Sequence, residues 1–137
     1  MGPETSGTRP LIVLDAGVLI GALDDAHAHH SAAAEAIAAQ SDADLRLPIS
    51  AYSEVLVAPA RFGRLEDVKA DLAGLGLVID AIGEATAEAA ARLRARHASL
   101  RLPDALVIAH AEVVEADELL TTDATWERFS DRVRVVG

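Results

Sequence analysis

The sequence predicts a three-layer α/β/α sandwich on a mainly parallel central sheet, and three observations predict it. Leu11 to Leu14 is a short unbroken apolar run, the pattern of a strand buried on both faces. Glu118 to Thr122, with Leu119 and Leu120 at its centre, is a second short run near the other end of the chain. Between such runs lie one or two helical stretches, as crossovers between parallel strands require. Both runs stop at an acid, Asp15 and Asp123. In open parallel sheets ligands sit beyond the carboxyl ends of the strands, so the functional question is what needs carboxylates there.

The 137 residues, 51% of them apolar, suit one domain with a substantial core. Residues 1–9 are polar and aperiodic and read as a flexible leader, leaving 10–137 as the single domain. The absence of cysteine removes disulfides, iron–sulfur clusters and thiolate zinc sites, and fits a reducing cytoplasm. No apolar run approaches the roughly 18 residues of a membrane helix, and no secretory signal pattern opens the chain. The start formally fits a myristoylation pattern, but Pro3 and Glu4 follow the glycine and no basic patch supplies a second anchor. A net charge of −10 argues against a general nucleic-acid binder. Arg92, Arg94, Arg96 and Arg101 nonetheless cluster with His97, which leaves room for a local phosphate-binding surface; the plainer alternative is a solvated helix face.

Taken in order, the first strand leads to a short helix from Gly17 to Leu23, a polar turn from Asp24 to His29, and an alanine-carried helix from Ser31 to Gln40. Leu45 to Leu47 is a short strand before Pro48, and Ser50 is expected to cap a helix running to about Phe62, where Gly63 stops it. Glu66 to Leu72 is amphipathic and closes on Gly74 and Gly76. The run from Leu77 to Ile82 is expected to be another buried strand. Glu84 to His97 makes a helix, and Leu102 starts the next, to Ala116, with Pro103 near its first position and Asp104 in its first turn. A helical turn around Trp126 and an edge strand from Arg132 to Val136 complete the chain.

Among twenty-two acids, position singles out four. Asp15 and Asp123 end strands, Asp104 opens a helix behind a proline, and Glu54 is set among Tyr52, Val55 and Leu56. Each has an ordinary explanation: a turn-capping aspartate, a helix N-terminal acid, a partly exposed glutamate. The capping box fails for Glu54, because Ser53 holds the position that would pair with Ser50. Several carboxylates on one sheet edge repel, so a shared cation or bound protons must neutralise them. With oxygen ligands alone, Mg²⁺ or Mn²⁺ is the natural cation.

Four segments then carry a family resemblance: Leu11-Ile-Val-Leu-Asp15-Ala-Gly-Val-Leu-Ile20, Ser50-Ala-Tyr-Ser-Glu54-Val55, Leu102-Pro-Asp104-Ala-Leu-Val-Ile-Ala-His-Ala111, and Leu119-Leu-Thr121-Thr-Asp123-Ala-Thr-Trp126. Their ordered set resembles the PIN-domain ribonucleases, in particular the VapC-like toxins of two-component toxin–antitoxin pairs. The resemblance implies that Asp15, Glu54, Asp104 and Asp123 bind Mg²⁺ or Mn²⁺, with Thr121 ordering the metal's hydration shell. It implies an endoribonuclease whose metal-activated water attacks phosphorus in line, leaving 5′-phosphate and 3′-hydroxyl ends. It also implies a homodimer and an antitoxin whose tail fills the acidic groove with a basic side chain. One departure stands out. Many members follow the first aspartate with Ser, Thr or Asn within two residues, whereas this chain has Ala16 and Gly17, with the Gly17 backbone N–H as a substitute.

Other candidates read as structural. His27, His29 and His30 lie in a polar turn as surface histidines, His110 faces away from Asp104 on its helix, and Trp126 belongs in the core rather than under a nucleobase. A Walker loop, a GxSxG elbow and a Cys–His pair are absent from the sequence. Two alternatives stay open: a catalytically weak PIN-like protein-interaction module, consistent with Ala16 and Gly17, and a haloacid-dehalogenase-like phosphatase, which needs a second aspartate where Gly17 stands.

Overall fold

The computed structural model describes residues 9–137, and the first eight residues of the expected leader lie outside the described residues. Arg9 is tied down, donating to the carbonyls of Asp42 at 3.2 Å and Ala43 at 2.7 Å.

Five strands form one sheet: β1 (Leu11–Leu14), β2 (Asp44–Pro48), β3 (Val78–Asp80), β4 (Glu118–Thr121) and β5 (Val133–Val135). Their spatial order is β3-β2-β1-β4-β5, and every neighbouring pair is parallel. The expectation of a mainly parallel sheet is met in full. Six helices supply the crossovers: α1 (Ala16–Leu23), α2 (His30–Ala38), α3 (Ile49–Arg61), α4 (Leu65–Gly74), α5 (Glu84–Arg96) and α6 (Leu102–Val113), with a 3₁₀ turn at Ala124–Arg128. The chain steps outward from β1 to β2 to β3, then crosses back to β4. Because parallel crossovers are right-handed, that reversal puts α5 and α6 on the face opposite α1 to α4. The reversal also makes the β1/β4 boundary a topological switch point, where the loops leaving two adjacent strands part and open a crevice at their carboxyl ends.

Burial explains why β1 and β4 read as continuous apolar runs. Ile12, Val13, Leu14, Leu119 and Leu120 are all buried, so apolar side chains fill both faces of these strands, and the one buried polar residue between them, Thr121, has its hydroxyl hydrogen-bonded. Leu14 pairs with Leu120, and Asp15 then donates its backbone N–H to the Leu120 carbonyl at 2.9 Å. That register brings Asp15 and Thr121 out of the sheet at the same level. Trp126 is buried in the core, as its place in the sequence suggested.

Two expectations are corrected. The run at residues 77–82 is not a buried strand: only Val78–Asp80 are extended, they form the sheet's edge, and Val78 is 44% exposed. An apolar run cannot by itself distinguish a central strand from an edge. Nor does Ser50 cap α3. Pro48 takes the N-cap position, Ser50 lies inside the first turn, and its Oγ is buried without a hydrogen-bond partner among the described residues. The glycine stops hold, since Gly63 and Gly76 have φ of 71° and 72°, a conformation glycine adopts without Cβ strain.

The core also contains a polar chain. His110, 4% exposed, bonds through Nδ1 to Thr86 Oγ1 at 3.2 Å and through Nε2 to Asp80 Oδ2 at 3.0 Å. Asp80 Oδ1 accepts from Arg46 at 2.8 Å, and Arg46 donates its other two contacts to Asp44. The guanidinium holds the Asp44 carboxyl below its ordinary range. This chain ties β2 and edge strand β3 to α5 and α6 through hydrogen bonds that give each ring nitrogen of the buried His110 a partner. Aspartate, histidine and threonine stand in the order of a nucleophilic triad, but Thr86 is 3% exposed, out of reach of any substrate.

Candidate active site

The site is assembled at the switch point from four chain segments. Asp15 follows β1 and serves as N-cap of α1, its Oδ1 accepting the Ala16 N–H at 2.8 Å. Its Oδ2 accepts the hydroxyl of Thr121 at 3.0 Å. Thr121 is fully buried at the end of β4, and its Oγ1 also accepts the backbone N–H of Asp123 at 3.1 Å. One hydroxyl thus links the two strand-ending acids. Asp123 caps the 3₁₀ turn, with Oδ1 accepting from the Thr125 N–H at 2.9 Å and the Thr125 hydroxyl at 2.6 Å. The capping role that sequence alone offered for both aspartates is therefore real, and in each case it engages only one carboxylate oxygen in a cap.

Asp104 arrives on the first turn of α6, where Pro103 needs no N–H partner and the helix dipole favours an acid. Glu54 projects from the second turn of α3. These acids act on one another. Burial pushes the Asp15 carboxyl up to about 6; Asp104 and Glu54 push the same way, against the Thr121 hydroxyl and the Ala16 N–H. Glu54 is raised by burial and by Asp104. Asp104 is raised by burial and by Asp123. Arg101, at the N-cap of α6, is the local counterweight and lowers both Glu54 and Asp104.

The structure thus brings Asp15, Glu54, Asp104 and Asp123 to one rim of the sheet, within range of each other's fields. It does not clamp them: among the described residues no three acidic or imidazole side chains stand close enough to hold one ion between them. The four arginines separate. Arg101 stands beside the acids, while Arg92 and Arg96 line a groove of about 500 Å³ between α5, α6 and residues 127–131, which Arg128 also lines. Arg94 is exposed on α5 and lines neither groove. A larger groove, about 700 Å³, runs between α1, α3 and α4 and reaches Glu54; Ile20, Phe62 and Val68 give it an apolar floor beside Asp24, Asp25 and Asp71.

The histidines of the polar turn are built into it. His27 Nδ1 accepts the His29 N–H at 3.0 Å, and His30 Nδ1 meets the Gly21 carbonyl at 3.0 Å. Thr122 was not singled out by sequence, yet its hydroxyl lies against Gly17, two residues past Asp15. No spacing rule points to it, because the contact joins the first and fourth segments of the site.

Comparison with known proteins agrees with this architecture. No curated protein matches the chain. A toxin–antitoxin complex from Klebsiella pneumoniae superposes with a TM-score of 0.76 at 22% identity, covering 90% of this chain and 96% of that one. VapC20 from Mycobacterium tuberculosis, described as a Sarcin-Ricin loop cleaving toxin, gives 0.72 at 14% identity, covering 85% and 93%. FitAcB from Neisseria gonorrhoeae gives 0.64 at 21% identity, covering 92% and 96%. The PIN domain family model matches residues 12–132, which contain every strand-end and helix-start acid described above but neither the leader nor the last strand. With that match running through most of its length, this chain belongs to the PIN-domain family.

Proposed function

We propose that this chain is a divalent-metal-dependent endoribonuclease, the toxin of a toxin–antitoxin pair. The observation that carries the reading is the group of four carboxylates at the β1/β4 switch point, with Asp15 pushed up to about 6 by burial and by its acidic neighbours. Such a group is stable near neutral pH only if its charge is neutralised. The donor set fits Mg²⁺ or Mn²⁺: oxygen ligands, no thiolate, and Thr121 fixing the orientation of Asp15. Asp15, Glu54, Asp104 and Asp123 would hold the ion, with side-chain rotation at the exposed Glu54 and Asp123. When bound, the ion supplies an activated water and charge neutralisation at phosphorus. The chain's own contribution is positional. Thr121 holds the Asp15 carboxylate, Pro103 and Arg101 set the first turn of α6, and Arg101 offers its charge to a substrate phosphate. Arg92 and Arg96, with Arg94 on the same helix, would meet the RNA backbone further from the acids.

The structural neighbours support the partner side of this reading, since they include a toxin–antitoxin complex and VapBC assemblies from Rickettsia felis and Salmonella typhimurium. The apolar groove floored by Ile20 and Phe62 and ending at Glu54 suits an antitoxin segment that seats apolar side chains and delivers a basic one to the acids. A homodimer in the cytoplasm completes the proposal; no helix among the described residues is long and apolar enough to cross a membrane.

Purified protein is expected to cut RNA with Mg²⁺ or Mn²⁺, and to stop with EDTA or with Asp15→Asn. Undiminished cutting by that variant would overturn the assignment. A second reading, an interaction module with weak catalysis, is favoured by the absence of a tight three-acid cluster among the described residues. It predicts antitoxin binding with no metal-dependent turnover.

A further inference from the structure

We propose that Thr122 is a positioning residue of the acid site, and that residue 17 is glycine because the Thr122 hydroxyl fills the space a side chain there would take. The inference rests on the metal-dependent reading and adds to it a group that the ordered acids do not include. Gly17 is the second residue of α1, directly after the turn that Asp15 caps. A Cβ at this position would stand 2.7 Å from Thr122 Oγ1 and 3.7 Å from Asp15 Oδ2. The first distance is too short for any side chain, and Thr122, branched at Cβ, has few rotamers through which to retreat. Positions 17 and 122 are therefore exclusive: one of them can place a group beside the Oδ2 edge of Asp15, and here it is Thr122.

What is placed there is a hydroxyl. The neighbouring hydroxyl of Thr121 is already committed, donating to Asp15 and accepting from the Asp123 N–H. Asp15 Oδ1 is occupied by the Ala16 N–H. Thr122 is half-buried, and the point its hydroxyl crowds, where a Cβ of residue 17 would stand, is 3.7 Å from Asp15 Oδ2. A hydroxyl in that place holds a water against Asp15, either as donor or as acceptor, and so orders the hydration shell of a cation at the acids.

The test is a substitution cycle read by calorimetric Mn²⁺ titration and by melting with and without Mn²⁺, independently of cleavage. Thr122→Val removes the hydroxyl at nearly constant shape and is expected to weaken Mn²⁺ binding about tenfold, while Thr122→Ser keeps it. Gly17→Ser is expected to lower both the melting temperature and the affinity, because two groups then compete for one space. In the double variant Gly17→Ser with Thr122→Ala, the new Cβ lies 3.9 Å from the old Thr122 Cβ position, an ordinary contact, and the serine hydroxyl enters the vacated space. That variant is expected to bind Mn²⁺ better than either Gly17→Ser or Thr122→Ala alone. If Thr122→Val binds Mn²⁺ like the wild type, or the double variant is no better than Gly17→Ser, the inference is overturned while the metal-dependent reading stands. If the wild type itself does not bind Mn²⁺, both fall.

Discussion

Replacing Asp15 by asparagine should stabilise the metal-free protein at neutral pH while abolishing its response to Mn²⁺. In the folded protein the Asp15 carboxyl is raised from 3.8 to about 6, so ionising it at pH 7 costs the fold more than it costs the unfolded chain. At 1.36 kcal/mol per pKa unit, the difference amounts to about 3 kcal/mol. The sign follows from linkage. A raised carboxyl contributes stability that is fully present below pH 3.8 and is lost as the pH climbs through about 6. Asparagine carries no charge and escapes that loss. It has, however, one acceptor oxygen for the two donors now on Asp15, the Ala16 N–H and the Thr121 hydroxyl, and gives back about 1 kcal/mol. The net gain is about 2 kcal/mol at pH 7.5, or roughly 7 °C for a chain of this size. Thermal melts of both proteins in EDTA, from pH 4 to pH 8, measure it. The variant should melt at or slightly below the wild type at pH 4, the curves should cross and the gap open between pH 4 and pH 6 and level off above, and added Mn²⁺ should raise the melting temperature of the wild type alone. A variant that melts at or below the wild type across this range would refute the reasoning that Asp15 is strained by burial and by its acidic neighbours.

Three further outcomes follow from the same geometry. Thr121→Val strands the Asp123 N–H and strips Asp15 of its hydroxyl donor, so the Asp15 carboxyl should titrate above its present value of about 6 and RNA cleavage should fall about tenfold or more; a pH–rate profile identical to wild type would count against it. His110→Ala leaves Thr86 and one oxygen of Asp80 without their partner in the core, and urea denaturation should show a loss of about 3 kcal/mol, with cleavage by the folded fraction unchanged. Trp126→Ala should cost about 3 to 5 kcal/mol, because the ring is 2% exposed; weaker RNA binding with unchanged stability would instead place it against a base.

The central strands and the acids were legible in the chain because both obey local rules. β1 and β4 sit between two layers of helices, so Ile12 to Leu14 and Leu119 to Leu120 are apolar at successive positions, and those runs stand out against any background. Asp15 and Asp123 were visible as the first acids after those runs, and Asp104 as the acid behind Pro103 at a helix start. The edge strand misled for the same reason in reverse: Val78 and Ile79 are as apolar as a central strand, and nothing local says that one flank is open to water. Ser50 misled because a capping side chain and a serine in the first turn share one sequence signature.

What sequence alone determined is the fold class and the identity of the acids, since burial on both faces of a strand and the polarity of its end are written residue by residue. What only the tertiary structure decided is everything that depends on register between distant segments. It set Leu14 beside Leu120, so that one threonine hydroxyl could join two acids more than a hundred residues apart in the chain. It brought His110 between Thr86 and Asp80, and it laid the Thr122 hydroxyl over Gly17. Such contacts arise from strand pairing and helix packing across the molecule, and no periodicity within a single segment encodes them.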